Sequence, residues 1–241
     1  MCGRLALTLP HDAMARLFAA IPDNDLPDIP NFNLCPTQSL PVVIADHGRR
    51  LRALRWGFLP SWYKSVNDGP LIINARADGI ATKPAFREAV RARRCIVPVS
   101  GFYEWSAGAD GVRLPWYVTR TDTAEMALAA IWQHWPPSRE VPDGGAQDGG
   151  ASDDGGEQDA CALDACAILT TDAGPGLAHI HHREPVVLDR ADWPLWLGEA
   201  GHGAATLMQP RSAGVLRAHR VGRAVNANRA TGPGLIDPFD E

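Results

Sequence analysis

No run of apolar residues in this 241-residue chain approaches the length of a membrane-crossing helix, so an integral helical membrane protein is not expected. The start lacks the basic region and apolar stretch of a secretory signal, and the expected location is cytoplasmic. Cysteine is scarce and unpatterned. Cys2, Cys35, Cys95, Cys161 and Cys166 are odd in number and scattered, which fits free thiols in a reducing compartment better than a disulfide framework. Three histidines fall close together at His179, His181 and His182, yet no cysteine pair or carboxylate lies at ligand spacing nearby. A zinc site is therefore disfavoured, and no metal or cofactor is expected.

A strand-helix-strand alternation is also missing, which argues against a doubly wound parallel sheet. Short strand patterns outnumber helical ones, and the expected fold is α+β: a curved, largely antiparallel, barrel-like sheet with peripheral helices. At 45% hydrophobic composition the chain can bury a full core. The net charge of −5 is unevenly spread. Seven acids between Arg139 and Asp159 face one arginine, a local −6 that leaves about +1 for everything else. That stretch is dense in Gly, Ala, Ser and Asp, and 137–162 reads as a disordered acidic insertion within a single domain spanning 1–241.

Along the chain, Asp12 can cap a helix carrying Met14, Leu17, Phe18 and Ile21, with Pro22 ending it. Pro41–Ala45 and Leu51–Trp56 read as paired strands turned by His47-Gly48, and Leu71–Ile73 as an apolar strand running into Asn74, Arg76 and Asp78. Thr82 can cap a helix reaching Arg93. Strands follow at Cys95–Val99, Phe102–Trp105, Trp116–Thr119, Met126–Trp132, Cys166–Thr170, Val186–Leu188 and Val215–Val221. Trp62 and Tyr63 sit beyond Pro60 in a loop, where aromatics either plug a core or stack on bases. Glu104 is a carboxylate enclosed by three aromatics, a setting that raises a carboxyl pKa toward the range useful for proton transfer, although a structural glutamate is also consistent with it.

The opening Met1-Cys2-Gly3-Arg4 has chemical potential of its own. A small second residue favours removal of the initiator methionine, which leaves an amine and a thiol on adjacent carbons of Cys2. An aldehyde taken by the amine as a Schiff base can then be closed upon by sulfur into a thiazolidine. The α-amine pKa lies roughly two units below that of lysine, so about a tenth is already nucleophilic near neutrality. Four residues alone favour the plainer reading of a cysteine that has no role.

Six ordered motifs tip that balance: Met1-Cys2-Gly3-Arg4, Asn33-Leu34-Cys35-Pro36-Thr37, Trp56-Gly57 with Pro60 and Trp62, Asn74-Ala75-Arg76, Gly101-Phe102-Tyr103-Glu104-Trp105, and Ile180-His181-His182-Arg183-Glu184-Pro185. Together they resemble the SRAP family of SOS-response-associated peptidases, also described as abasic-site processing proteins. The resemblance implies that Cys2 captures the ring-opened aldehyde of an abasic site in single-stranded DNA, shielding the lesion, in a monomeric protein that associates with the nucleoid at damage. It implies Cys2, Asn74, Glu104 and His181 as catalytic residues, with DNA contacts at Arg4, Asn33, Pro36, Trp62, Tyr63, Arg76 and Arg183. The family usually has Ala at the position of Cys35, Asp at that of His182, Met at that of Glu184, and often a second tryptophan where Tyr63 stands. The acidic insertion has no counterpart in the pattern. The peptidase name adds autoprocessing of Met1. Two competing readings are a noncovalent binder of single-stranded or junction DNA and a thiol hydrolase built on Cys2 and His181.

Overall fold

The structure, a computed structural model, describes residues 2–109, 111–135, 162–210 and 214–239. The expected insertion over 137–162 lies outside the described residues apart from Ala162. In chain order the strands are β1 (Leu5–Leu7), β2 (Ala20–Pro22), β3 (Asn31–Leu34), β4 (Ser39–Ala45), β5 (Arg49–Trp56), β6 (Asn74–Arg76) and β7 (Arg94–Val99). They continue with β8 (Gly101–Ala107), β9 (Arg113–Arg120), β10 (Met126–Trp135), β11 (Leu163–Asp172), β12 (Arg183–Pro185), β13 (Val187–Leu188) and β14 (Leu216–Arg220). The helices α1 (His11–Phe18), α2 (Arg87–Ala92) and α3 (Trp193–Leu197) are short. None is long and apolar enough to cross a membrane.

One sheet closes on itself. β11 pairs with β10, β10 with β7, β7 with β4 and β4 with β5, all antiparallel, and β5 returns to β11 in parallel. Closure leaves these five strands without an open edge. Their sequences explain it: Met126–Ile131 and Ala165–Thr170 are continuous buried runs, the pattern of strands covered on both faces. Outside, Phe18 of α1 stacks on Trp193 of α3 at 4.2 Å, and Trp196 donates its indole N–H to Cys95 O at 2.8 Å. The second sheet is antiparallel throughout in the order β14-β9-β8-β1-β3. The chain passes between the sheets at Ser100, whose N–H donates to Ala6 O at 3.0 Å and whose hydroxyl takes the Thr8 N–H. Glycine is required at the next position because a Cβ on Gly101 would lie 2.3 Å from the Tyr117 ring. The fold is thus α+β, with a largely antiparallel barrel and an antiparallel second sheet.

Local details depart from the sequence expectation where tertiary pairing wins. α1 ends at Ala19, in the left-handed conformation, because Ala20–Pro22 pairs with β5 and leaves Ile21 exposed. Asp12 lies inside the first turn and pairs with Arg16 at 2.8 Å. Thr82 donates its hydroxyl to Gly79 O at 2.9 Å, stabilising a turn well before α2 begins at Arg87. Between Leu71 and Asp78 only Asn74–Arg76 forms a strand, although Ile72 bridges to Phe58.

Candidate active site at the seam of the two sheets

Two elements of the second sheet bring the first pair of expected site residues together. β1 runs beside β8, and the register extends one residue before β1, where Tyr103 N–H donates to Arg4 O at 2.9 Å. The chain from Arg4 back to Cys2 therefore continues alongside the part of β8 that holds Glu104. Both are buried, Cys2 at 1% and Glu104 at 4% exposure. Burial and the nearby Glu104 charge push the Cys2 thiol above its usual range. Glu104 Oε1 accepts the Trp105 N–H at 3.3 Å, and Trp116 of β9 stands opposite Glu104 in the register.

The other pair comes from the barrel. β6 lies parallel to β11, with Asn74 opposite Ile168. Trp56, fully buried at the end of β5, donates its indole N–H to Ile73 O at 3.0 Å and so fixes the residue before Asn74. Asn74 Nδ2 then donates to Cys2 O at 2.7 Å, joining the sheets at Cys2. Its Oδ1 is buried and has no hydrogen-bond partner among the described residues.

His181 sits on the turn between β11 and β12. That turn is held by Ala173 N–H to His182 O at 3.0 Å and by Gly174 N–H to the buried Glu184 carboxylate at 2.9 Å. His179 packs edge-on against Trp116 at 5.5 Å, docking the turn onto the second sheet. Arg183 N–H donates to His181 Nδ1 at 3.0 Å, so in the neutral ring the proton resides on Nε2. Burial lowers the His181 pKa, against an opposing pull from Glu104. Cys2 and His181 both feel the Glu104 charge, and Asn74 touches Cys2, so the four expected catalytic residues gather in one place.

The expected DNA contacts are distributed differently. Arg4 is buried: its Nη1 donates to Asn33 Oδ1 and to Val225 O at 2.9 Å, and its Nη2 to Asn228 Oδ1 at 2.6 Å. Asn33, also buried, donates to Ala227 O and Ala230 O at 3.1 and 2.7 Å. These two residues lock the loop after β14 against β1 and β3. Arg183 is buried on Thr170 O at 2.7 Å and near Asp172 at 3.4 Å. Arg76 is exposed and forms a two-bond pair with Asp78 at 3.0 and 2.8 Å. Pro36 is half-buried in the turn after β3. Trp62 is 55% exposed, whereas Tyr63 is pinned: its carbonyl accepts the Trp135 indole N–H at 3.1 Å and its ring lies against Gly69.

Beside Cys2 opens a cavity of about 360 Å³ lined by Gly3, Arg4, Trp105, Arg113, Asn226 and Asn228. Arg113 lies over the Trp105 ring at 5.0 Å and Arg4 at 5.8 Å, and Trp105 Nε1 donates to Asn226 Oδ1 at 2.7 Å. Sequence reasoning assigned no role to Arg113, Asn226 or Asn228. Asn226 and Asn228 lie in a stretch rich in Asn, Gly and Pro without periodicity, and nothing in its local sequence distinguishes Arg113. Among the described residues no three His, Cys, Asp or Glu side chains gather as a metal site.

The family model for the SOS response associated peptidases (SRAP) matches residues 1–228. The chain belongs to the SRAP family. The abasic site processing protein YoqW of Bacillus subtilis (strain 168) is 30% identical over 244 residues, covering 98% of this chain and 99% of that one. The abasic site processing protein HMCES of Pongo abelii is 29% identical over 288 residues, covering 100% of this chain and 77% of the relative. A solved structure of a protein from Bacteroides thetaiotaomicron matches with a TM-score of 0.80 over 99% of this chain and 100% of that one, at 20% identity, a likeness of fold. The unusual residues of this SRAP chain have structural work: Glu184 holds the His181 turn, His182 stacks on His181 at 4.2 Å, and the Cys35 thiol donates to Asn33 O at 3.3 Å.

Proposed function

We propose that this SRAP chain captures ring-opened abasic sites in single-stranded DNA through Cys2 once Met1 has been removed, forming a thiazolidine that shields the lesion. The observation that carries this reading is the convergence of Asn74, Glu104 and His181 on a residue that can present nitrogen and sulfur together. The names of its relatives support the substrate.

The steps balance with residues already in place. Glu104 takes a proton from the Cys2 ammonium, and the freed amine attacks the C1′ aldehyde carbon. The carbinolamine hydroxyl leaves as water with the Glu104 proton, giving a Schiff base. Sγ adds to that carbon while its proton passes to Glu104, closing the ring with net loss of one water. Asn74 orients the amine through Cys2 O, and the His181 Nε2–H donates to the sugar oxygen during ring opening and reversal. Holding amine and thiol on one residue removes a second binding event, the larger part of the gain. The same carboxylate and imidazole serve autoprocessing of Met1. A thiol hydrolase built on Cys2 and His181 is the competing reading, and a blocked terminal amine would leave it unaffected.

The test is incubation with a uracil-containing oligonucleotide treated with uracil glycosylase. A denaturant-resistant band that Cys2→Ser abolishes or makes labile supports the reading. A band that survives Cys2→Ala overturns it.

A further inference from the structure

Away from the seam, α2, the end of α3 and the loop after it enclose a cavity of about 650 Å³, within the size range of small-molecule sites. Its floor is apolar, from Val90, Leu197 and Met208. Its polar lining is Arg91, Arg94 and His202, with no carboxylate among the described residues. The nearby acids are engaged elsewhere, Glu88 with Arg93 at 2.9 Å and Glu199 with Arg49 at 2.7 Å. Arg94 has no carboxylate partner among the described residues. Its Nε donates to Trp196 O and its Nη1 to Val90 O and Arg91 O, each at 2.9 Å for the latter two, so the guanidinium is held in place by backbone carbonyls. Nη2 faces the wall at Gly198, where a Cβ would come within 3.0 Å of it. Gly198, Gly201 and Gly203 all have positive φ, of 85, 89 and 114°, and keep that wall free of side chains.

We propose that this cavity is a second ligand site, which takes the phosphate group of a nucleotide. A fixed guanidinium, a second exposed arginine and an imidazole surround a space with no carboxylate among its described lining residues, and charge-assisted hydrogen bonds to phosphate are the strong ones. The apolar floor accommodates a sugar or base. A neighbouring cavity of about 430 Å³ shares Ala81, Ala205 and Met208 with it and extends to Asp78 and Asp172, which hold Arg76 and Arg183. The phosphate therefore has two sources: a free mononucleotide, or the backbone of a strand that has passed the seam.

The test titrates the full chain with deoxyadenosine monophosphate, with deoxyadenosine, and with an undamaged single-stranded oligonucleotide, by calorimetry. Arg91→Glu combined with His202→Glu places acids at two exposed positions and leaves the Arg94 contacts intact, so the melting temperature should hold. Monophosphate binding that deoxyadenosine does not share, weakened roughly tenfold or more in the double variant, supports a free-nucleotide site. A comparable loss confined to the oligonucleotide supports the same phosphate site with the strand as its source. Neither ligand weakened by the double variant overturns the proposal. Adduct formation on a short lesion oligonucleotide reads the seam separately and stays at the unmutated rate in the double variant.

Discussion

The closed barrel and the seam beside it are built on opposite principles. In the barrel wall, Val43, Ile96, Ala129, Ile131 and Ile168 are buried at 0% exposure and pack by apolar contact. At the seam, Arg4, Asn33, Glu104, Arg183 and Glu184 are equally buried and are polar. Each such group costs free energy unless satisfied, and here the partners are backbone carbonyls and amides of loops that would otherwise be loose. Apolar burial supplies stability in one region, and the other uses it to hold charged groups at fixed positions around Cys2. Trp56 belongs to both: its ring fills the barrel end and its N–H sets Asn74.

That contrast can be broken by substitution. The largest effect is expected from Cys2→Ala, which should abolish the covalent DNA adduct while shifting the urea midpoint little. Trp56→Ala should do the reverse in kind, costing about 3–5 kcal/mol of stability in urea melts, and should also slow adduct formation per folded molecule through Asn74. Trp62→Ala removes an exposed ring from the loop tip and should weaken single-stranded DNA binding by about 1–3 kcal/mol, read by fluorescence anisotropy, without altering stability. Salt sharpens the comparison further. If about four charges met phosphates, affinity would fall about 50-fold between 50 and 200 mM salt. With Arg4 and Arg183 buried in internal bonds, and Arg76 and Arg113 exposed, about two contacts remain and the expected fall is about sevenfold.

The smallest effect concerns pH. His181 has its pKa lowered by burial, so the folded state binds fewer protons than the unfolded chain as pH falls. Its contribution to stability is present above the unfolded pKa and is lost as pH drops through the lowered folded value. Protonation also removes the Nδ1 acceptor for Arg183 N–H. A small decline in stability on the acid side should appear in urea melts across pH, and His181→Gln should flatten that profile.

Much of this was legible in the sequence because it rests on local pattern. The buried strands β7, β10 and β11 announce themselves as apolar runs, and His47-Gly48 marks the hairpin with φ values of 48 and 111°. The expected site residues Cys2, Asn74, Glu104 and His181 lie in short motifs, and the structure brings them near one another. A barrel-like sheet was expected as well, but the parallel contact of Ala165 with Arg55 that closes it was not legible, since it joins segments far apart in sequence. Nor was the burial of Arg4 and Arg183, whose partners lie on loops without periodicity. Trp62 and Tyr63 look alike in sequence, yet the Trp135 indole bond and Gly69 make one a post and leave the other at the tip.

The central claim is that the Cys2 amine and thiol together take the lesion, and the intact mass of the adduct reads it most directly. The account predicts the chain without Met1 plus the abasic oligonucleotide less one water, located at Cys2, and no adduct when the terminal amine is acetylated. An adduct that retains Met1, or one formed undiminished on the acetylated protein, would contradict it.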